Sequence, residues 1–520
     1  MIASRPLAAA GLLLLSALAG CALPRPPAAA DAREPPRWHA PLPHGGNVAD
    51  LRQWWTQFGD PLLIALIEAA QTASPTVATA ATRIAEARAN RVAARAALLP
   101  SLDASTAIVR GNTQGGFGGA GSAGVGLGVA GPGAGAGTGT GTSAGSAGAA
   151  AGATGAALPP TTITQSGLQA AWEIDLFGGR EAQADAAAAR LRGAAAGWHD
   201  ARVAVAAETA TTYLDLRVCG NQLEVARNDA RSRAESARLT GLSADAGFTA
   251  PAAAAQARAS AAEGAARATQ QQAQCDLSVK ALVALTGLPE PELRRRVGGG
   301  WTEPEGIAAG AIPELPAALL RQRPDVYAAE RNVEAASADV GAARADRFPR
   351  LTLSGQLGSV LVHAGGQNIS ARTWQIGPLA LSVPVFDAGR RAAATDAAEA
   401  RYEEAVVQYE ARVRQAVREV EEALVNLRGA QDRSEDTRAA VAGYRVSFAA
   451  AEARYRSGLG SLIELEDQRR VLLAAETTLV GLQRDRVAAW IALYRALGGG
   501  WHTAETTART QPRLNEEASR

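Results

Sequence analysis

The sequence predicts a mainly α-helical chain with a small transmembrane β part, built as an internal duplication. Three observations predict it. Prolines recur at one spacing in both halves, Pro75 with Pro100 and then Pro324 with Pro349. Segments of period-two alternation follow each second proline. Two long proline-free intervals of almost equal length come next, from Arg180 to Gly247 and from Arg390 to Gly458.

Each proline-bounded interval reads as one helix, because proline fits a helix's first turn and forces the residue before it out of helical geometry. Both end alike, with Ala94-Arg95-Ala96 before Pro100 and Ala343-Arg344-Ala345 before Pro349. Strands are expected at about 101–110, 163–177, 350–362 and 374–386. In the second of these, Leu168, Ala170, Trp172, Ile174 and Leu176 alternate with Gln169, Glu173 and Asp175. Alternating segments of roughly ten residues fit transmembrane strands, and also fit amphipathic hairpins lying on a soluble core. The turns Phe177-Gly178-Gly179-Arg180 and Phe386-Asp387-Ala388-Gly389-Arg390 match each other. Beyond them, Tyr402, Val406, Tyr409, Val413, Ala416, Val420, Ala423 and Leu427 form a heptad seam. A continuous helix of that interval's length would run roughly 100 Å. Gly247 to Gly287 and Gly458 to Gly498 are equal intervals, so each long helix has a return partner. The agreement of these intervals signals duplication.

One interval disagrees. Pro100 to Arg180 is nearly twice as long as its counterpart, Pro349 to Arg390. The excess, Gly111 to Ala157, holds 19 of the 54 glycines and no charge, and reads as an enlarged extracellular loop.

Composition narrows the function. Of 520 residues, 47% are apolar but only 4% aromatic, so alanine dominates and helices can pack closely without a thick core. Charge is nearly balanced, with 52 basic and 51 acidic residues and a single lysine, Lys280. That leaves no electrostatic footprint for nucleic acid and no Gly-Lys-Ser/Thr phosphate loop. His39, His44, His199, His363 and His502 lack zinc-ligand spacing, and neither a His-Glu-x-x-His nor a Gly-x-Ser-x-Gly pattern occurs. No catalytic residue, metal site or bound cofactor is expected.

At the N-terminus Arg5 precedes an apolar run from Leu7 to Leu18, then Ala19-Gly20-Cys21. This describes an export signal too short to span a bilayer. Leu18-Ala19-Gly20-Cys21 resembles a lipobox, which implies acylation of Cys21; a plain signal peptide that contains a cysteine is the alternative. The expected organisation is a lipoprotein signal over 1–20, a lipid-anchored linker over 21–46, a first repeat over 47–310, a second over 311–500 and a tail over 501–520. Cys219 and Cys275 lie symmetrically about 247, opposite each other in an antiparallel hairpin. A disulfide and two buried thiols are the two readings open for them.

Four strands are too few to close a membrane barrel, which starts at about eight, and an open edge in lipid leaves backbone groups unsatisfied. Spanning strands therefore demand that copies pool them. Geometry alone does not choose between two copies and three.

From about Asn47 to Trp501 the chain resembles the TolC-like outer-membrane efflux factor family, in its lipidated branch. The residues that carry the resemblance are Arg323-Pro324-Asp325-Val326-Tyr327-Ala328-Ala329-Glu330, Phe348-Pro349-Arg350-Leu351, Trp172-Glu173-Ile174-Asp175-Leu176-Phe177-Gly178, Tyr213-Leu214-Asp215-Leu216-Arg217 and Ala496-Leu497-Gly498-Gly499-Gly500-Trp501. The resemblance implies a homotrimer with a twelve-stranded outer-membrane barrel and an α-helical barrel crossing the periplasm. It also implies a periplasmic adaptor and an inner-membrane RND-type transporter as partners, in a passive duct that exports small molecules. A duct for type I protein secretion and a lipid-anchored periplasmic scaffold without a pore are the competing readings.

Under this resemblance the glycine turns are tips. Adaptor contact would rest on Gly247, Phe248 and Thr249 at one tip and on Ser457, Gly458 and Leu459 at the other. Glu464 and Asp467, at a three-residue spacing that puts them on one helix face, would form carboxylate rings at a periplasmic aperture, with Tyr455 and Arg456 in the bond network that holds it shut. The alternative for both acids is a solvated helix face. At the first tip Ala253 and Gln256 take the equivalent places, so the acid implied there is missing.

Overall fold

The computed structural model describes residues 23–30, 51–111, 160–297, 323–364 and 366–500. Cys21, the signal 1–20, the glycine-rich loop from 112 onward and the tail 501–520 lie outside the described residues. The chain divides into two compact units, one of strands (Ala97–Ile174 and Pro349–Val383) and one of helices holding the remainder.

In the strand unit, β1 (Ser101–Gly111), β2 (Thr161–Ile174), β3 (Arg350–Ala364) and β4 (Gln367–Ser382) form one antiparallel sheet in the order β1-β2-β3-β4. Two strands differ from the expected bounds. β2 ends at Ile174 rather than 177 because the Asp175 carboxylate accepts from the backbone N–H groups of Gly179 and Glu181, both at 2.8 Å, and so caps the following helix. β4 starts at 367 rather than 374, since a turn at Gly366 (φ 84°) returns the chain directly from β3. It ends at 382 before Pro384, which has no N–H to give a ladder.

The helical unit begins with a 3₁₀ turn (Leu51–Phe58), α1 (Pro61–Ala73) and α2 (Pro75–Ala96). After the strands come α3 (Gly179–Asp245), α4 (Pro251–Thr286) and α5 (Glu290–Val297). The second half supplies α6 (Pro324–Ala345), α7 (Arg390–Asp432), α8 (Ser434–Arg456) and α9 (Leu462–Ala496). α3 runs unbroken for 67 residues, roughly 100 Å. Its counterpart does not, breaking at Arg433 into α7 and α8. Gly429 weakens the ladder there, and the Arg433 N–H reaches the Gly429 carbonyl only at 3.4 Å. Ser434, Glu435 and Asp436 then open a new helix with acids in its first turn, where the helix dipole favours them.

The heptad seam packs as expected, with Tyr409, Val413, Ala416, Val420, Ala423 and Leu427 all buried. The thick part of the core is local. Trp54 stacks on Trp490 with ring centroids 4.6 Å apart, and Trp55 meets Tyr494 at 4.5 Å. Leu63, Leu66 and Ile67 of α1 close over Val203–Leu216 of α3 and the last turns of α9. Elsewhere many of the buried interhelical positions are alanine, among them Ala186, Ala189, Ala335 and Ala338.

The Arg323-Pro324-Asp325 motif ties this core together. Arg323 donates to both carboxylate oxygens of Asp325 (2.9 and 2.8 Å), to Glu419 of α7 (2.8 Å) and to the Ala496 carbonyl at the end of α9 (2.9 Å). Burial works against the Asp325 carboxylate, yet its bonds to Arg323 and the charge of that guanidinium hold its pKa below the ordinary value. Its stabilising share is therefore present above the ordinary carboxylate pKa and lost as pH falls through the lowered one. Arg323→Ala strands a buried carboxylate and should cost about 3–5 kcal/mol, read as a lowered denaturant midpoint.

Candidate conduit and gating elements

The sheet register sorts its side chains onto two faces. One carries Trp172, Leu353 and Leu379 in a cross-strand row, then Leu168, Leu357 and Trp374 in another. Toward the β3–β4 turn this face becomes polar, at Ser166, Ser359 and Arg372. The other face carries Asp103, Gln165, Gln169, Thr352, Gln356 and Gln375, with Gln356 donating to Gln375 at 3.2 Å, and turns apolar toward the β3–β4 turn, at Val109, Ile163, Val362 and Ile369. Trp374 and Ile376 are 76% and 79% exposed, an apolar surface that needs a non-aqueous neighbour. An amphipathic sheet of this kind separates lipid from water.

Both hairpin tips of the helical unit are built alike. At the first, the Phe248 N–H bonds the Ser243 carbonyl (2.8 Å) and the Gly247 N–H bonds that of Ala244 (2.9 Å). At the second, the Leu459 N–H bonds the Arg454 carbonyl (2.8 Å) and the Gly458 N–H bonds that of Tyr455 (3.1 Å). These are Schellman turns, and each needs a residue in the left-handed region. Gly247 and Gly458 supply it, at φ 78° and 76°. The residue after the glycine ordinarily packs back on the helix, but Ser243 and Arg454 offer it no apolar surface. Phe248 and Leu459 accordingly stand 86% and 75% exposed. The Thr249 and Ser243 hydroxyls bond each other at 2.6 Å, and the Ser457 hydroxyl bonds the Arg454 carbonyl at 3.0 Å.

Just behind the tips, the Tyr455 hydroxyl bonds that of Thr240 and so joins α8 to α3. Arg456 turns away to Glu452 on its own helix (3.1 Å). Arg454 is the residue that crosses, donating to Glu464 of α9 at 2.7 Å. Asp467 is held by Arg470 at 2.8 Å. Both acids of the expected ring thus have an arginine partner in the same chain. Ser461 caps α9, accepting from the Glu464 N–H at 3.1 Å.

A buried ionic cluster lies deeper, and sequence reasoning missed it. Arg233 of α3 donates to Asp229 and to Glu466 of α9, both at 2.9 Å, and to Ser260 of α4. Arg469 donates to Glu466 and to the Ser232 and Ser236 hydroxyls. The Arg233, Asp229 and Arg469 side chains are all less than a tenth exposed. Further along the same hairpin a disulfide joins Cys219 of α3 to Cys275 of α4.

A sheet with one polar and one apolar face over the part away from the β3–β4 turn, on a chain of long paired helices with matched tips, defines a subunit of an outer-membrane efflux channel. The chain belongs to the outer membrane efflux protein family, whose sequence model matches residues 66–288 and 315–499. It is 29% identical over 507 residues to the pyoverdine export outer membrane protein OpmQ of Pseudomonas putida, covering 95% of this chain and 97% of that one. The solvent efflux pump outer membrane protein SrpC of Pseudomonas putida is 32% identical, over 66% of this chain and 72% of its own. Among solved structures, the outer-membrane channel OprN superposes with a TM-score of 0.74 at 29% identity, covering 91% of this chain and 98% of that one.

Two outcomes follow for the tip region. Tyr455→Phe removes one interhelical hydrogen bond worth about 1 kcal/mol, and should raise the open-to-closed ratio roughly fivefold per chain in single-channel records. Replacing Cys219 and Cys275 together by serine opens a cross-link between positions 56 residues apart, and should lower stability by about 2–4 kcal/mol in denaturant titrations.

Proposed function

We propose that this chain is the outer-membrane duct of a tripartite efflux system, assembled as a homotrimer that pools twelve strands into one barrel. The observation that carries this reading is the four-stranded sheet with polar and apolar faces, whose first and last strands each keep an edge unpaired among the described residues. Three copies close it without leaving backbone groups open to lipid. The long helices form the periplasmic part of the duct, which carries the tips at Gly247 and Gly458. There the exposed Phe248 and Leu459 receive a periplasmic adaptor, which links the duct to an inner-membrane RND-type transporter. Cys21 carries a covalent lipid that anchors the N-terminus in the outer membrane.

The duct is passive and catalyses no reaction. Its cargo is small molecules chosen by the transporter, since a wide wet conduit reads little of their chemistry. The names of the similar chains fit this, spanning pyoverdine, solvents and cations. Opening is a two-state change in which the helices behind the tips separate and the adaptor favours the open arrangement. Glu464 and Asp467 line the aperture in this scheme.

Planar-bilayer conductance of the purified, full-length protein tests the proposal. Conductance that rises, or cation block that weakens, in the Glu464→Gln/Asp467→Asn variant is the expected result. No change in either removes these two acids from the aperture. A preparation that conducts nothing, even with the aperture substituted, favours a periplasmic scaffold over a duct.

A further inference from the structure

The face of the sheet that carries Trp172, Leu168 and Trp374 ends in positive charge. Its lowest row is Ile174, Leu351 and Leu381, where β2 and β4 end and β3 begins. Toward the β3–β4 turn it reaches Ile108, Thr164, Leu361 and Ser370, and then Arg110, Thr162, His363 and Asn368. Two contacts between side chains agree with this register. The Thr106 hydroxyl donates to that of Ser166 at 3.2 Å, and His363 Nδ1 lies 2.5 Å from the Asn368 side-chain oxygen.

Height sorts these rows against a bilayer. From Ile174 back to Thr164, β2 covers about 33 Å along the strand, at about 3.3 Å per residue. A strand tilted by roughly 40° converts that length to about 25 Å of height, the depth of the apolar band on a membrane barrel. Trp172, one row inside the lower limit, sits where such barrels carry an aromatic girdle. The row of Arg110 then stands just outside the hydrocarbon. Arg372, in the row of Ser166 and Ser359, stands just inside it, with Ile108 and Leu361 in the row above. Arginine on a lipid face is costly at mid-depth and tolerated at the interface. The Arg372 stem therefore lies along the apolar rows while its guanidinium climbs toward the level of Arg110.

The sheet supplies no counter-charge for this rim. The strand unit, Ala97–Ile174 with Pro349–Val383, has Asp103 and Glu173 as its only acids in sequence. Both belong to the opposite face, in the rows of Gln169 and Thr352 nearer the other end. The β1–β2 connection adds nothing, since Gly111 to Ala157 holds no charged residue. Arg110 and Arg372 are both exposed, and each has a hydroxyl directly across the ladder, Thr162 for the first and Ser359 for the second. Guanidinium and hydroxyl donors together suit phosphate oxygens.

The geometry points to an anionic lipid of the outer leaflet as the partner of this rim, its headgroup phosphates held by Arg110 and Arg372 where the apolar band ends. This rests on the proposed barrel and names the lipid chemistry that seats it. In a closed barrel the two arginines recur in every copy and form a belt. A zwitterionic headgroup fits the belt less well, because its own cation competes for the phosphate that the arginines would take.

Native mass spectrometry of the full-length protein in neutral detergent tests this, with diphosphoryl lipid A, phosphatidylcholine and inorganic phosphate as probes. Lipid A should be retained in preference to phosphatidylcholine. Replacing both arginines, Arg110→Gln with Arg372→Gln, should weaken that retention roughly tenfold or more, since each loses a charge-assisted hydrogen bond. Arg350→Gln, on the opposite face at the other end, should leave it unchanged. Equal retention of the two lipids overturns the belt. So does a glutamine pair that conducts in planar bilayers and binds lipid A as tightly as the native chain, and both results leave the duct standing. Displacement of lipid A by an equal concentration of inorganic phosphate assigns the arginines to a soluble anion and overturns the lipid. A chain with both arginines intact that conducts nothing, even with Glu464 and Asp467 replaced, overturns the duct and the belt together.

Discussion

A backbone N–H or carbonyl in hydrocarbon has no water to fall back on, and each unmet group costs several kcal/mol. This constraint shapes the chain more than any side chain does. The sheet order β1-β2-β3-β4 satisfies three ladders and leaves the outer edges of β1 and β4 without a partner among the described residues. The apolar rows through Leu168, Leu357 and Trp374 make water an equally poor neighbour for one face. In the proposed trimer such a sheet is finished by other copies of itself.

Alanine decides how the long helices behave. It permits close approach and buries little apolar area per residue, so adhesion per turn is weak. Aromatic and branched side chains are concentrated where α1, α3, α7 and α9 meet around Trp54 and Trp490, and that region is the fixed point of the helical unit. Toward the tips, polar bonds take over from packing. The Arg233, Asp229, Glu466 and Arg469 cluster joins α3 to α9 through directional contacts, and buried ion pairs add less to stability than to geometry. The opening proposed above would exchange these bonds for others.

Much of this was legible in the sequence because the signals were local. Proline spacing bounded α2 and α6, period-two alternation marked the strands, and paired glycines located both tips. The break at Arg433 was legible in principle, since Ser434-Glu435-Asp436 is a helix start, but a continuous heptad stripe just before it argued the other way. Asp175 read as the polar side of a strand, and only the folded backbone shows it capping α3. The buried ionic cluster was hidden for a deeper reason. Asp229 and Arg233 have the i, i+4 spacing of any solvated helix face, and what buries them is α9, whose Glu466 is 233 positions from Arg233 in sequence. In the same way the resemblance implied Arg456 in the bond network, whereas helical phase sends Arg454 to Glu464 and Arg456 to Glu452.

The arginine partners change what the acids near the second tip can do. A bare ring of carboxylates attracts any cation, but Glu464 and Asp467 are engaged by Arg454 and Arg470 at 2.7 and 2.8 Å. A cation arriving there competes with a guanidinium already in place, and in partial exposure such pairs are worth only about 1 kcal/mol. Arg454 sits on α8 and Glu464 on α9, so any separation of these helices breaks the pair and frees the carboxylate. Arg470 lies on the same helix as Asp467 and travels with it. The two acids therefore differ in kind: the charge at 467 stays masked through a helix movement, whereas the charge at 464 depends on it. In the proposed opening, cation affinity at position 464 would therefore follow helix separation, tying the electrostatics of that opening to its mechanics.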